Sequence, residues 1–365
     1  MSANQSTPVE RLYAVAQSGG IAGFDLHDDG SMTELPGSPW PTGAGTFCVR
    51  VSPDGRFLYV APGLGLGTPV SIRNLRNPEL LTYSIADDGS LSRIDQLDLA
   101  RTPVAMTLSA DGRNLYLGMG NGPAGFFRGG VAHFRIGDDG KPAANGDLHS
   151  LGKFLDGAPQ PYLAPDGKHL YVASVFAKSV VWFEVTADGA LRGPVGRVKS
   201  SGIFPITPVF SLDGRFLYVP NEQSKSISAF AVGADGGLTE MADSPIPTGK
   251  FPHNPVASRD GKYVYFANTM SHQIDGFEIG ADGGLTRVPG SPFATEPGPA
   301  MLEVSTDGKW LYLLSSPVFK DGSKVVVTAF EIQGDGGLKD AGHGPVPTGL
   351  GFADGPSLAV VPIRR

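Results

Sequence analysis

Glu222, which follows Asn221 directly, and His253, which precedes Asn254, are the residues of this chain best suited to chemistry. A carboxylate can take a proton from water or from a carbon acid, and an imidazole can return one near neutral pH. Asn221, Asn254, Asn268 and His272 stand close by in the sequence and can hydrogen-bond a substrate. Arg50, Arg101 and Arg128 are cations able to anchor a carboxylate or phosphate. Such an anchor matters because the chain carries 29 Lys+Arg against 36 Asp+Glu, a net charge of −7, and repels anions as a whole. The plainer alternatives are that Glu222 is a solvated loop acid near Lys225, that the histidines are satisfied or exposed, and that Arg50 pairs with Glu303 or with loop carboxylates.

Other chemistries fail on spacing. The Asp-Asp-Gly turns at 28–30, 87–89 and 138–140 lack the further spaced acids and the distal Glu of a calcium loop. No His pair has zinc-ligand spacing, and Cys48, the single cysteine, excludes thiolate zinc sites and internal disulfides. The glycines of 63–67 open no helix and cradle no phosphate, no G-x-S-x-G elbow occurs, and Cys48 reads as packing. The expectation is an enzyme with no metal and no cofactor. No basic run exceeds two residues, which argues against a nucleic-acid partner. The start MSANQSTPVERLYAV shows no export leader and no stretch reaches 18 apolar residues, so the expectation is a cytoplasmic protein with no membrane partner. A monomer or weak oligomer fits this reading.

The elements that must hold these groups are repeated. The phrase SPDGRFLYV at 52–60 returns as SADGRNLYL, APDGKHLYV, SLDGRFLYV, SRDGKYVYF and STDGKWLYL. Gly55, Gly112, Gly167, Gly214, Gly261 and Gly308 recur 57, 55, 47, 47 and 47 residues apart. A second phrase of the type FEIGADGGL occurs seven times. With 51 glycines and 31 prolines, the chain is many short strands joined by turns, which excludes helical bundles. Each unit contains two Asp-Gly turns and four strands, A to D, which describes a propeller blade.

Seven copies predict an all-β, seven-bladed β-propeller with four-stranded antiparallel blades. The N-terminal strand at 11–15 is a B strand without its A strand, and 356–362 is an A strand without its B. Pairing them closes the ring and leaves no free edge. The expected organisation is a disordered tail at 1–10 and one propeller domain over 11–365. Alternating strand direction puts the near-identical Asp-Gly turns on one face and the variable B–C and D–A loops on the other. The longest of these loops are 61–79 and 118–129, so specificity is expected on that second face, around the channel mouth.

Repeats of the form S-P-D-G-R-x-L-Y-V, followed by F-x-I-x-x-D-G-x-L and a Pro-Thr-Gly stretch, resemble the seven-bladed lactonase family over about 11–362. That family includes propeller-type 6-phosphogluconolactonase and carboxymuconate lactonising enzyme. The resemblance implies a catalytic acid in the blade that reads G-P-R-H before strand A and N-E after strand B. Here Asn221-Glu222 matches, whereas Ile206-Thr207 stands where Arg-His would, and a histidine follows one blade later in FPHN at 251–254. The expected function is that of an enzyme acting on a small, anionic lactone or its open acid form, such as by metal-independent hydrolysis, with Glu222 as base and His253 as acid or donor. Arg50, Arg101 or Arg128 would be the anchor, and Asn221, Asn254, Asn268 and His272 would bind substrate. A cyclase or isomerase of secondary metabolism, or a non-catalytic propeller that binds a ligand or protein, stands as the alternative.

Overall fold

The structure, a computed structural model, describes residues 7–16, 18–42, 45–62, 78–122, 125–317, 324–351 and 357–364. Gln17, Pro356 and most of the loop 61–79 lie outside the described residues. Every regular element among the described residues is a strand, and the strands form seven antiparallel sheets. One sheet runs Val209–Phe210, Phe216–Asn221, Ser226–Val232 and Leu238–Glu240 from its inner to its outer edge. The sheet beside it runs Pro252–Ala257, Tyr263–Asn268, Gln273–Ile279 and Leu285–Arg287. In four of the seven sheets a short extra strand, such as Ile246–Pro247, also pairs with the third strand.

The ring closes as the incomplete terminal strands predict. Ser357–Pro362 pairs with Pro8–Ala16, with Leu12 opposite Val360 and Ala14 opposite Leu358. The first strand starts at Pro8, inside the segment expected to be a disordered tail. Glu10 is buried and its carboxylate accepts the Thr306 N–H at 2.6 Å, so residues 8–10 belong to the propeller. The physical reason is pairing: Glu10 faces Pro362 on one side and Leu26 on the other.

Turn chemistry explains the repeated phrases. In SPDGR, Gly55 N–H donates to Ser52 O at 2.8 Å, and only the glycine takes a positive φ, +69°. Ser52 Oγ donates to Asp54 Oδ1 at 2.6 Å and accepts the Phe57 N–H at 2.9 Å. The loop is therefore a Pro-initiated turn closed by a left-handed glycine, with serine and aspartate satisfying the exposed backbone groups.

Apolar clusters fill the seams between blades, not one common centre. Tyr171, Val180, Phe210, Leu217 and Phe230, for example, join two neighbouring sheets. The tyrosine of each L-Y-V phrase is fully buried, and six of them donate their hydroxyl to a turn carbonyl of the adjoining blade. Tyr59 reaches Gly140 O at 3.0 Å and Tyr218 reaches Gly283 O at 2.8 Å. These bonds satisfy the phenols in the seam and tie blade to blade. The innermost strands then surround a central channel; His253 lies on one of them, whereas Glu222 follows the end of a second strand.

Candidate functional site

Glu222 directly follows the strand Phe216–Asn221, and its N–H donates to Phe204 O at 3.0 Å. Phe204 holds a positive φ of 62°, and Phe251, at the matching place in the next blade, holds 60°. His253 lies just after Phe251, where the strand pairing is irregular: His253 faces Ala267 and Pro255 faces Phe266. This bulge carries one extra residue, Asn254, and re-aims the side chains beside it. The result joins two blades, because His253 Nε2 stands 3.1 Å from Glu222 Oε1, with side chains 21% and 9% exposed.

The surroundings of His253 fix its tautomer. Asn254 Nδ2 lies 2.8 Å from His253 Nδ1 and also donates to Ala300 O at 3.2 Å. A neutral ring accepts that Asn254 proton at Nδ1 and donates Nε2–H to Glu222. A protonated Nδ1 would instead meet the Asn254 amide donor 2.8 Å away, so this arrangement holds the ring in the tautomer with its proton on Nε2. Both nitrogens of the neutral imidazole are thereby hydrogen-bonded, Nδ1 by Asn254 and Nε2 to Glu222. Glu222 makes no other side-chain hydrogen bond among the described residues, so its second oxygen is not taken up by a side chain there.

His253 and Asn254 line a narrow section of the channel, about 60 Å³, with Cys48, Arg50, Gln160 and Thr207. Arg50, Thr207 and Asn254 also line a wider section of about 310 Å³, so the two are continuous. The wider section reaches Ser211, Leu212, Ser258 and Arg259 of the Asp-Gly turns, the face that offers little variety in sequence. Its charged wall holds Glu303, 28% exposed, 3.4 Å from Arg259 Nη2. Burial pushes the Glu303 pKa up, while Arg259 and Arg50 pull against it. Glu303 thus pairs with Arg259, and Arg50 donates Nη1 to the carbonyl of Val49 at 2.8 Å. Burial raises the Cys48 thiol pKa, which disfavours the thiolate and fits a packing role. No group of three His, Cys, Asp or Glu able to hold a metal occurs among the described residues.

The remaining sequence candidates lie elsewhere. Asn221 is fully buried, accepting from Ser200 Oγ at 2.6 Å and donating to Ser228 Oγ at 2.9 Å, as a strand-end brace. Asn268 is also buried; it accepts from Thr248 and donates to Phe266 O. His272 is exposed at φ 55°, and its Nδ1 accepts the Gly298 N–H at 3.2 Å. Arg101 donates to Arg128 O at 2.8 Å, and Arg128 lies over the Phe154 ring at 5.8 Å. None of these five lines either section of the channel, and of the Glu222–His253 pair only His253 does. Phe127 and Phe154, 39% and 58% exposed with ring centroids 5.0 Å apart, give the 118–129 loop an aromatic surface.

Sequence reasoning passed over Tyr162 and Arg259 as site residues. Tyr162 shares the strand column of Arg50 and Glu303, and Arg259 precedes the aspartate of its turn in SRDG. Those positions are the signals that could have flagged both. It also passed over Asp156, whose side chain is fully buried against Arg197 Nη2 at 2.7 Å and Nη1 at 2.8 Å.

Comparison with known proteins agrees with this architecture. The family described as "Lactonase, 7-bladed beta-propeller" matches residues 71–205, 157–251 and 209–298. A 6-phosphogluconolactonase of Enterobacter sp. (strain 638) is 28% identical over 173 residues. The match covers 46% of this chain and 44% of that protein, so it spans less than half of the relative. Among solved structures, the periplasmic gluconolactonase of Pseudomonas aeruginosa superposes with a TM-score of 0.77 at 21% identity, covering 98% of this chain and 100% of that one. A protein of Bacteroides uniformis, described as a putative 6-phosphogluconolactonase, superposes with a TM-score of 0.76 at 19% identity, covering 97% and 100%. At these identities the structural likeness speaks for the fold, and the matched stretches identify the chain as a member of the seven-bladed β-propeller lactonase family.

Proposed function

We propose that this protein opens a small lactone to its hydroxy acid at the Glu222–His253 pair. The observation that carries the reading is the 3.1 Å contact between Glu222 Oε1 and Nε2 of His253, which lines the channel, with the second Glu222 oxygen bonded to no side chain among the described residues. Glu222 takes a proton from water as the water oxygen bonds to the lactone carbonyl carbon. The tetrahedral intermediate then collapses, the ring C–O bond breaks, and the departing alkoxide recovers the proton. His253, donating to the carboxylate, orients Glu222 and holds it beside the channel. Arg50 offsets an acid group on the substrate in a chain of net charge −7. Ile206 is buried and apolar where the family pattern carries arginine, which favours a lactone with one acid group over a phosphorylated one.

The test is acid release from sugar, phosphosugar and muconate-type lactones. The expected result is turnover of at least one singly charged lactone, reduced about tenfold or more by His253→Gln. Arg50→Gln should raise KM for charged lactones and leave neutral ones unaffected. If no lactone opens faster with the protein than in buffer, the reading fails.

A further inference from the structure

The geometry points to a second ligand site in the wide section of the channel: we propose that it binds a small cyclic monocarboxylate, with its carboxylate on Arg50 and Tyr162 and its ring against Phe210 and Val256. This goes beyond the lactonase reading. It shares Arg50 with the narrow section but involves neither Glu222 nor His253.

The cavity of about 310 Å³ has room for a six-membered ring bearing an acid group. Its walls divide by chemistry. Val209, Phe210, Leu212, Val256 and Leu302 supply apolar surface, while Arg50, Arg259 and Glu303 supply charge with an excess of one cation. Arg259 is already engaged, bonding Val304 O at 2.7 Å and Ser305 O at 3.1 Å as well as Glu303. Among the described residues Arg50 spends only Nη1, on Val49 O, which leaves its other donors for a ligand.

Tyr162 supplies the second, independent observation. Buried B-strand tyrosines such as Tyr59 and Tyr218 place their hydroxyls on a turn carbonyl, whereas Tyr162 stands on an inner strand and its hydroxyl has no protein partner among the described residues. Burial, with Glu303 nearby, pushes its ionisation up, so the phenol remains a neutral donor at physiological pH. Its ring packs on Phe210 with centroids 6.0 Å apart, which places an aromatic wall beside that donor. A guanidinium and a phenol on one side and an aromatic floor on the other suit a carboxylate joined to a compact ring.

The probes are benzoate, cyclohexanecarboxylate and inorganic phosphate, titrated into the full chain and followed by calorimetry and ligand-observed NMR. The expected result is saturable binding of the two ring carboxylates, tighter than phosphate. Tyr162→Phe should weaken binding about threefold to tenfold, and Arg50→Gln about tenfold or more. Glu303→Gln should strengthen binding by removing a competing negative charge, and Glu222→Gln should leave it within about twofold. Absence of saturable binding, equal affinity in Tyr162→Phe, or loss of binding in Glu303→Gln overturns the proposal. Because these readouts are binding, they stand whether or not the protein opens lactones.

Discussion

Asp156 and Glu222 are both buried carboxylates paired with a base, and the protein treats them in opposite ways. Asp156 has its oxygens filled. Arg197 binds both of them, Ser174 Oγ donates at 3.0 Å, and the Lys153 N–H donates at 2.6 Å. Asp275 follows the same pattern with Arg287, Thr248, Gly249 and Gln273. Glu222 has a single side-chain partner among the described residues, His253. A carboxylate whose lone pairs are all spent can only hold structure, because any new hydrogen bond would displace one already made. A carboxylate with one spent oxygen, next to an imidazole whose orientation Asn254 fixes, can exchange a proton. The difference separates bracing carboxylates from a candidate for chemistry on one scaffold.

That comparison can be sharpened by removing each acid in turn. Asp156→Ala strands a partly buried guanidinium, so unfolding in denaturant should show a loss of about 3–5 kcal/mol, the usual result of breaking a buried pair from one side. The activity of the folded fraction should stay unchanged. A loss below about 1 kcal/mol would mean that the Asp156 network is dispensable.

Glu303 tests a third situation, a carboxylate paired with Arg259 whose pKa burial nevertheless raises. A raised pKa in the folded state means that folding is favoured at low pH and that this contribution is lost as pH climbs past the ordinary carboxylate value. Wild-type stability relative to Glu303→Gln should therefore fall between pH 4 and pH 7, values that bracket the upper side of the ordinary range of ~4.3. A constant difference across that range would show that Glu303 is not destabilised by burial.

Asp213 should give the smallest effect. Against a desolvation cost, bonds from Ser211 and Arg215 hold its pKa down at about 2. The sign is opposite to that of Glu303: its contribution is present above the ordinary carboxylate value and disappears as pH falls toward 2. Its side chain is 48% exposed, and solvent screens the interaction, so Asp213→Asn should cost no more than about 0.5 kcal/mol at pH 7. A cost several times larger would show that individual Asp-Gly turns govern the stability of the ring.

The ring was legible in the sequence because each blade repeats its turn chemistry, and because an unpaired B strand at one end requires an unpaired A strand at the other. Glu222 and His253 were legible as an anomaly, an acid and a base where other blades carry neither. Their contact across two blades depends on the bulge at His253–Pro255, which no local residue preference announces. Asn221 and Asn268 looked like ligand groups because they end their strands. Their burial and full hydrogen bonding arise from serines and threonines distant in the chain, such as Ser200 and Thr248. Arg50 and Glu303 were legible as charges, but their company was not: Glu303 takes Arg259, and Tyr162 joins them from a third blade only when the ring closes.

The central claim is that Glu222 is free to exchange a proton where Asp156 and Asp275 are not. The most direct measurement compares the rate of lactone opening by the parent and by Glu222→Gln, with the unfolding midpoint of each taken on the same preparations. Turnover is expected to fall by about two orders of magnitude or more, with stability changed by less than about 1 kcal/mol. Equal turnover, or a loss that merely tracks the fraction of folded protein, would contradict the account.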